Sequence, residues 1–210
     1  VADVGSTPED TPVSGNVLAN DSDPDVEPLS LTGFAIDTDG DSIPENFAPG
    51  TTATIAGVGT LVLNADGSYT FTPAANFNGT VPVASYTVSD GTANTTATLS
   101  LTVSAVNDPP TGANATFTVN EDTTRSFAAA DFGYADFEGD AFANVRIDTL
   151  PAAGTLTLSG VPVAAGQVIP VAQLANLVFT PAADASGTAY ASFNFSVQDS
   201  AGAFDTAPNT

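Results

Sequence analysis

Gly59-Thr60-Leu61-Val62-Leu63-Asn64-Ala65-Asp66-Gly67-Ser68-Tyr69-Thr70-Phe71-Thr72-Pro73 decides the fold class of this chain. Leu61 and Leu63, then Tyr69 and Phe71, fall at alternate positions among Thr and other small residues. Side chains of a strand point to opposite faces in turn, so a period of two marks half-buried strands. Asp66-Gly67 between the two runs reads as a tight hairpin turn, because Gly accepts positive φ without steric cost.

The same alternation returns in Tyr86 and Val88, in Leu99, Leu101 and Val103, in Leu156 and Leu158, and in Phe193, Phe195 and Val197. Thr is frequent, and β-branched residues suit a pleated surface. The helix formers Lys and Met are absent, and 18 Gly and 15 Pro punctuate the chain at short intervals. One helical turn is expected, at Val171–Asn176. The aromatic sets Tyr69, Phe71, Phe77 and Tyr190, Phe193, Phe195 read as core. Many short strands separated by regular turns predict an all-β sandwich.

The hairpin stretch has a second copy. Phe71-Thr72-Pro73-Ala74-Ala75 matches Phe179-Thr180-Pro181-Ala182-Ala183, and Gly59-Thr60-Leu61 matches Gly154-Thr155-Leu156. Glu9-Asp10-Thr11 matches Glu121-Asp122-Thr123, Asp23–Glu27 matches Asp136–Asp140, and Val88-Ser89-Asp90 matches Val197-Gln198-Asp199. Matches in one order along the chain predict two tandem domains end to end, 1–108 and 109–210, joined through Asn107-Asp108-Pro109-Pro110. Domain 1 reads as roughly seven strands, near 2–6, 11–19, 28–36, 51–63, 69–73, 81–89 and 93–105. Domain 2 carries an extra segment from Gly160 to Val171. Its last strand reads as incomplete, to be finished by more of the same chain or by another subunit. The ends at Val1 and Thr210 read as cuts from something longer, and no signal peptide is visible.

Composition removes whole classes of function. The chain of 210 residues has 24 acidic residues against 2 basic ones, Arg125 and Arg146, and a net charge of -22. That charge repels nucleic acid phosphates and anionic membranes. No apolar run is long enough to cross a bilayer, so direct membrane insertion is not expected. With no His and no Cys, imidazole and thiolate metal sites, Ser-His-Asp triads and disulfides are excluded. Two carboxylates alone can cleave glycosides, but that needs a raised-pKa acid in an apolar cleft. Here the acids fall in polar loops, so no enzyme is expected. Arg125 and Arg146 read as local counter-charges.

Oxygen ligands remain, and they cluster. Glu9, Asp10, Asp23, Asp25, Glu27, Asp37, Asp39, Asp41 and Glu45 all precede residue 46, in loops between strands. Two carboxylates at about 4 Å repel by roughly 4 kcal/mol at an effective dielectric near 20, so such a cluster is either fully solvated or neutralised by a cation. Alternating Asp-x-Asp-x-Glu oxygens suit Ca²⁺, which takes six to eight oxygens at about 2.3–2.6 Å. Asp37–Glu45 is only partly like an EF-hand loop, because Gly40 falls fourth rather than sixth. It is read either as a local Ca²⁺ site or as a mobile acidic loop. Strand parity places the Glu9-Asp10 turn, the Asp37–Glu45 loop and the linker at the trailing end of domain 1. The Asp23–Glu27 loop and Asp90 fall at its leading end. In domain 2, Asp136, Glu138, Asp140 and Asp199 face the linker, while Glu121 and Asp122 repeat the Glu9-Asp10 turn. Glu9, Asn107, Asp108, Asp136, Glu138 and Asp140 are therefore expected to converge on an interdomain Ca²⁺.

Glu9-Asp10-Thr11-Pro12-Val13, Leu18-Ala19-Asn20-Asp21-Ser22-Asp23-Pro24-Asp25, Leu63–Pro73 and Val106-Asn107-Asp108-Pro109-Pro110 together resemble the cadherin-like and VCBS-type tandem repeats of large bacterial surface proteins, often RTX adhesins. The resemblance covers nearly all of domain 1 and most of domain 2. It implies tandem Ig-like sandwiches, Ca²⁺ at the junctions, an extracellular place at the bacterial surface, and a role in adhesion or biofilm formation. It carries over Glu9, Asn107, Asp108, Asp136 and Glu138 as junction ligands. Phe137 and Gly139 stand where domain 1 has Pro24 and Val26, and the RTX nonapeptide is absent. The expected partners are neighbouring repeats of the same protein. Two rival readings remain: a subunit of a filament or surface layer that self-associates by strand donation, and a carbohydrate-binding module, which the lack of Trp disfavours.

Overall fold

Alternation in the sequence becomes alternation in burial. In a computed structural model describing residues 1–25 and 27–210, Leu61, Leu63 and Phe71 are fully buried while Thr70 and Thr72 face out. Val26, within the Asp23–Glu27 match, lies outside the described residues. The chain divides into two units, Val1–Val106 and Asn107–Thr210.

Unit 1 contains β1 (Asp3–Pro8), β2 (Val13–Asn16), β3 (Ser30–Ile36), β4 (Glu45–Phe47), β5 (Thr52–Ile55), β6 (Gly59–Leu63), β7 (Ser68–Pro73), β8 (Gly79–Thr80), β9 (Ala84–Ser89) and β10 (Asn94–Ser104). One sheet runs β1-β10-β9-β3-β4, with β8 also on β10, and the other runs β2-β7-β6-β5. β1 lies parallel to β10, and the other pairs are antiparallel. The core forms where Leu31, Phe34, Tyr86 and Leu99 of the first sheet meet Leu61 and Phe71 of the second. Each fully buried side chain of this size stabilises the fold by about 1.5–3 kcal/mol.

Two expected strands are corrected by turn chemistry. The stretch 51–63 is a hairpin, not one strand, because Gly57 at φ +71° turns the chain between β5 and β6. The stretch 11–19 shortens to Val13–Asn16, because the Asn16 side chain accepts from Leu18 N–H and turns the backbone out of the sheet.

Unit 2 contains β11 (Arg125–Ser126), β12 (Phe142–Ile147), β13 (Thr155–Leu158), β14 (Val161–Pro162), β15 (Gln167–Pro170), β16 (Leu177–Thr180) and β17 (Phe195–Asp199). Its sheets run β11-β16-β13-β14 and β15-β12-β17. The extra segment supplies β14 and β15. The expected helical turn is a 3-10 turn at Val171–Asn176, and a second one spans Ala129–Phe132. Phe132 and Phe195 meet edge to face at 4.9 Å in the centre of this core. Tyr190 is half-buried and lies outside the core cluster, its hydroxyl accepting from Ala182 N–H instead.

The repeat extends to unusual backbone angles. Asp10 and Asp122 take φ +58° and +57°, and their counterparts across the turn, Asn76 and Asp184, both take +56°. Asp10 Oδ1 accepts from Asn76 N–H at 2.9 Å, and Asp122 Oδ1 from Asp184 N–H at 3.1 Å. In unit 1, β1, β3 and β10 run the same way, so Glu9, Asp37 and the end of β10 share one end. Ser30 and Asp90 lie at the other. No helix among the described residues is long and apolar enough to cross a membrane.

Candidate functional site

In unit 2, Asp136, Asp140 and Asp199, from two loops, all lie near the Tyr134 phenol. Asp199, at the end of β17, is 1% exposed. Its Oδ1 accepts from Gly202 N–H at 2.5 Å and Ala203 N–H at 2.8 Å, and its Oδ2 accepts from Asn107 Nδ2 at 2.9 Å. Burial pushes its pKa up, but these donors outweigh that and hold it below the ordinary value. Asp136 Oδ1 accepts from Asp140 N–H at 2.7 Å, closing the 136–140 loop. Tyr134 OH donates to Asp140 O at 2.6 Å. Its phenol is pushed up to about 12 by burial first, then by the charges of Asp136, Asp199 and Asp140, so three carboxylates act on one ring.

Two oxygens here lack any partner. Asp108 Oδ2 and Asp136 Oδ2 are shielded from solvent and accept no hydrogen bond from any of the described residues. No side-chain cation is free to serve them, since Arg125 pairs with Asp131 at 3.0 Å and Arg146 with Asp148 at 2.5 Å. A buried carboxylate oxygen without a partner is costly, and a bound cation removes that cost. The donor set is all oxygen, as Ca²⁺ prefers. Glu138 points into solvent and is not drawn into this group.

The Asp37–Glu45 loop brings together a different set. Carboxylate oxygens of Asp37, Asp39 and Asp41 lie within 4.8 Å of one another. Asp37 Oδ1 accepts from Gly40 N–H at 2.7 Å and Oδ2 from Ser42 N–H at 2.9 Å, which curls the loop around the first carboxylate. Glu45 stands apart: its Oε2 accepts from Thr38 Oγ1 at 2.6 Å and Thr38 N–H at 2.8 Å, which lowers its pKa.

The remaining expected residues hold turns. Glu9 is 4% exposed; Oε1 accepts from Val106 N–H and Oε2 from Asn78 Nδ2 at 3.5 Å. At the leading end of unit 1, Asp23 Oδ1 accepts from Asp25 N–H at 2.7 Å, and Glu27 accepts from Thr92 Oγ1 at 3.5 Å. Asp90 repeats Asp199, its Oδ1 accepting from Thr92 and Ala93 N–H. Glu121, unlike Glu9, is exposed. Sequence reading left out Tyr134, and left out the pairing of Tyr86 OH with Asp3. A Tyr inside an apolar run reads as core, and only its phenol oxygen betrays a polar neighbour.

The bacterial cadherin-like domain model matches residues 1–105, and the bacterial Ig domain model matches residues 107–210. A curated relative, integrin beta-like protein E of Dictyostelium discoideum, is 32% identical over 148 residues, which is 68% of this chain and 7% of that protein. The chain thus spans a small fraction of that relative's length. Among solved structures, an endo-fucoidan hydrolase of glycoside hydrolase family 107 aligns with 99% of this chain and 27% of its own at 17% identity and a TM-score of 0.32. Murine CEACAM1b aligns with 98% of this chain and 92% of its own at 15% identity and a TM-score of 0.31.

Proposed function

The chain belongs to the bacterial cadherin-like domain family in its first half and to the bacterial Ig domain family in its second, and from that premise we propose that it is a pair of calcium-stiffened extender repeats of a secreted bacterial surface adhesin. Domains of these kinds are typically structural rather than enzymatic, and surface repeats are their usual setting. The observation that carries the calcium reading is the pair of buried, partnerless oxygens Asp108 Oδ2 and Asp136 Oδ2 in a unit where Asp136, Asp199 and Asp140 all act on Tyr134.

Stiffening follows from where these ligands sit in the chain. Val106 N–H is held by Glu9 of unit 1, and the next residue, Asn107, is held by Asp199 of unit 2. A cation bound by Asp108, Asp136 and Asp199, with the Asn107 amide oxygen, immobilises the start of unit 2 at the linker. Without the ion the carboxylates repel, and the linker loosens. Asp37, Asp39 and Asp41 form a second, local Ca²⁺ site that rigidifies the β3–β4 loop. The chain itself catalyses nothing; its work is to hold a binding domain away from the cell, for adhesion or biofilm formation.

Calcium calorimetry on the chain, on Asp136→Asn with Asp199→Asn, and on Asp39→Asn tests this. Each substitution set should remove a separate binding event. Small-angle scattering should show a smaller maximum dimension in EDTA than in millimolar Ca²⁺. Titration without heat, or identical scattering in both buffers, overturns the reading.

A further inference from the structure

We propose that the outer edge of β15 is a pairing surface for β15 of a second copy of this chain, the two strands running antiparallel about a two-fold axis at Val168. The contact does not rest on the calcium reading.

The edge is internal to the design of unit 2. β15 pairs with β12 and with no other strand among the described residues. β12 pairs onward with β17, and Phe204 and Asn209 bridge the far side of β17. Two strands therefore separate β15 from the chain's last residues.

Unit 1 protects the matching edge, and unit 2 does not. The match of Val88-Ser89-Asp90 with Val197-Gln198-Asp199 sets β9 against β17, hence β3 against β12 and β4 against β15. β4 is three residues long, carries Glu45 and follows the Asp37, Asp39 and Asp41 loop. Charge on or beside a short edge strand keeps other strands from pairing with it. β15 carries no charge. It lies within residues 149–183, the longest run without a charged residue in a chain of net charge -22. The charges nearest to it on β12 are Arg146, opposite Val168, and Asp148, and they cancel as an ion pair at 2.5 Å.

Charge and register select the occupant. An acidic partner is repelled by the chain as a whole, and a basic partner finds its carboxylates elsewhere. The edge suits an uncharged strand, and every copy of the chain brings one in its own β15. Paired residues of antiparallel strands point to the same face. Ile169 is fully buried and Val168 is 45% exposed, so an added strand must set a core-facing residue opposite Ile169. Placing Val168 opposite Val168 of the second copy does this, because the half-buried Gln167 then lies opposite Ile169 on both sides of the axis. Each exposed Val168 covers the other. Pro170, which has no N–H, ends the pairing. Four-residue strands make a small interface, and small interfaces are weak. Copies held side by side on one surface supply the local concentration that a weak contact needs. That consequence, unlike the contact, rests on the surface-repeat reading.

The chain has no Cys, so single cysteines report the contact without background. Val168→Cys puts two thiols across the axis at a Cα separation of about 4.5–5.5 Å, which a disulfide spans. Oxidation is run at about 0.15 M salt, where the net charge is screened beyond about 8 Å. Val168→Cys should then give covalent dimers several-fold faster than Val161→Cys, although Val161 is more exposed, at 66%. Sedimentation of the unsubstituted chain up to millimolar concentration should show dimers growing with concentration, in EDTA as in Ca²⁺. Hydrogen exchange should show protection of residues 167–169 growing with them. Val168→Lys should abolish dimers and protection at an unchanged thermal midpoint, and Val83→Lys, at an exposed valine of unit 1, should abolish neither. The cysteine comparison decides the matter should the lysine variant fail to fold. A chain that stays monomeric at millimolar concentration, dimers that persist in folded Val168→Lys, or equal crosslinking of the two cysteine variants overturns the inference. So do dimers that form only in Ca²⁺, which would place the contact at the acidic loops.

Discussion

Asn107 Nδ2 donates to Asp199 Oδ2 at 2.9 Å, so the first residue of unit 2 is fastened to the end of its last long strand by a carboxylate that is 1% exposed. The same carboxylate closes the β17 turn through Gly202 and Ala203. Asp199→Ala strands three donors at once. It should destabilise unit 2 by about 2–3 kcal/mol in calcium-free buffer, the range for lost hydrogen bonds to a charged acceptor. Urea unfolding followed by circular dichroism checks this, with unit 1 unfolding at an unchanged midpoint.

Calcium should raise the stability of unit 2 by mass action, by about 2.7 kcal/mol at a hundredfold excess over Kd. Asp136→Asn should cancel most of that gain, because it replaces the ligand whose Oδ2 is buried without a partner. Asp39→Asn should leave the unit 2 transition unchanged in the same buffer, because its cluster is confined to the β3–β4 loop. Thermal unfolding of the three proteins in EDTA and in Ca²⁺ separates the two sites.

Much of this could be read from the sequence because two signals are strictly local. Period-two alternation names the faces of β6, β7, β9 and β10, and carboxylates between such runs must lie in turns. What could not be read depends on distant atoms. Glu45 sits at the right spacing for the Asp37 loop, yet Thr38 offers two donors and captures it. Tyr190 keeps the rhythm of Phe193 and Phe195 but bonds Ala182 at the rim. The repeat and the linker mark Asp108 and Asp136 as ligand candidates along with Glu9 and Glu138, but only the folded chain shows that each of these two has one oxygen sealed from water.

Acid should act on unit 2 with two opposite signs. Asp199 has a lowered pKa, so its contribution is present above the unfolded-state carboxylate pKa and is lost as pH falls through the folded value. Asp205 is raised, by burial first and also by the nearby Asp148 charge, although Asn209 Nδ2 donates to its Oδ2 at 2.7 Å. Its contribution is complete below the unfolded pKa and is lost as pH rises through the folded one. At neutral pH, Asp205 Oδ1 is a buried charge-bearing oxygen with no partner. Asp205→Asn should therefore equal or exceed the parent in stability at pH 7 and lose that advantage near pH 4, the ordinary carboxylate range. Calcium-free urea midpoints across that interval decide it; a variant less stable at pH 7 than at pH 4 relative to the parent would refute the assignment.

Gly59 and Gly154 stand at the start of matching hairpin strands, and a facing carbonyl crowds both, joined at Gly154 by the Phe179 ring at 2.7 Å. A Cβ on Gly59 would lie 2.3 Å from Thr72 O, and one on Gly154 would lie 2.7 Å from Thr180 O, the counterpart carbonyl in the second repeat. Both residues have positive φ, +149° and +75°. A carbonyl inside a strand cannot swing away without breaking its ladder, so the clash cannot relax by a side-chain rotation. Gly57, two residues before Gly59, also has positive φ, at +71°, but a Cβ there meets nothing within 4 Å. Gly57→Ala should cost only the backbone penalty of about 1–2 kcal/mol. Gly59→Ala should cost unit 1 about 3 kcal/mol or more, because strain and overpacking add to that penalty. Gly154→Ala should do the same to unit 2 alone. Calorimetric scans of the three variants, with the two unit transitions resolved, measure the difference; equal losses for Gly57 and Gly59 would show that backbone angle, not the Thr72 carbonyl, is what fixes glycine there.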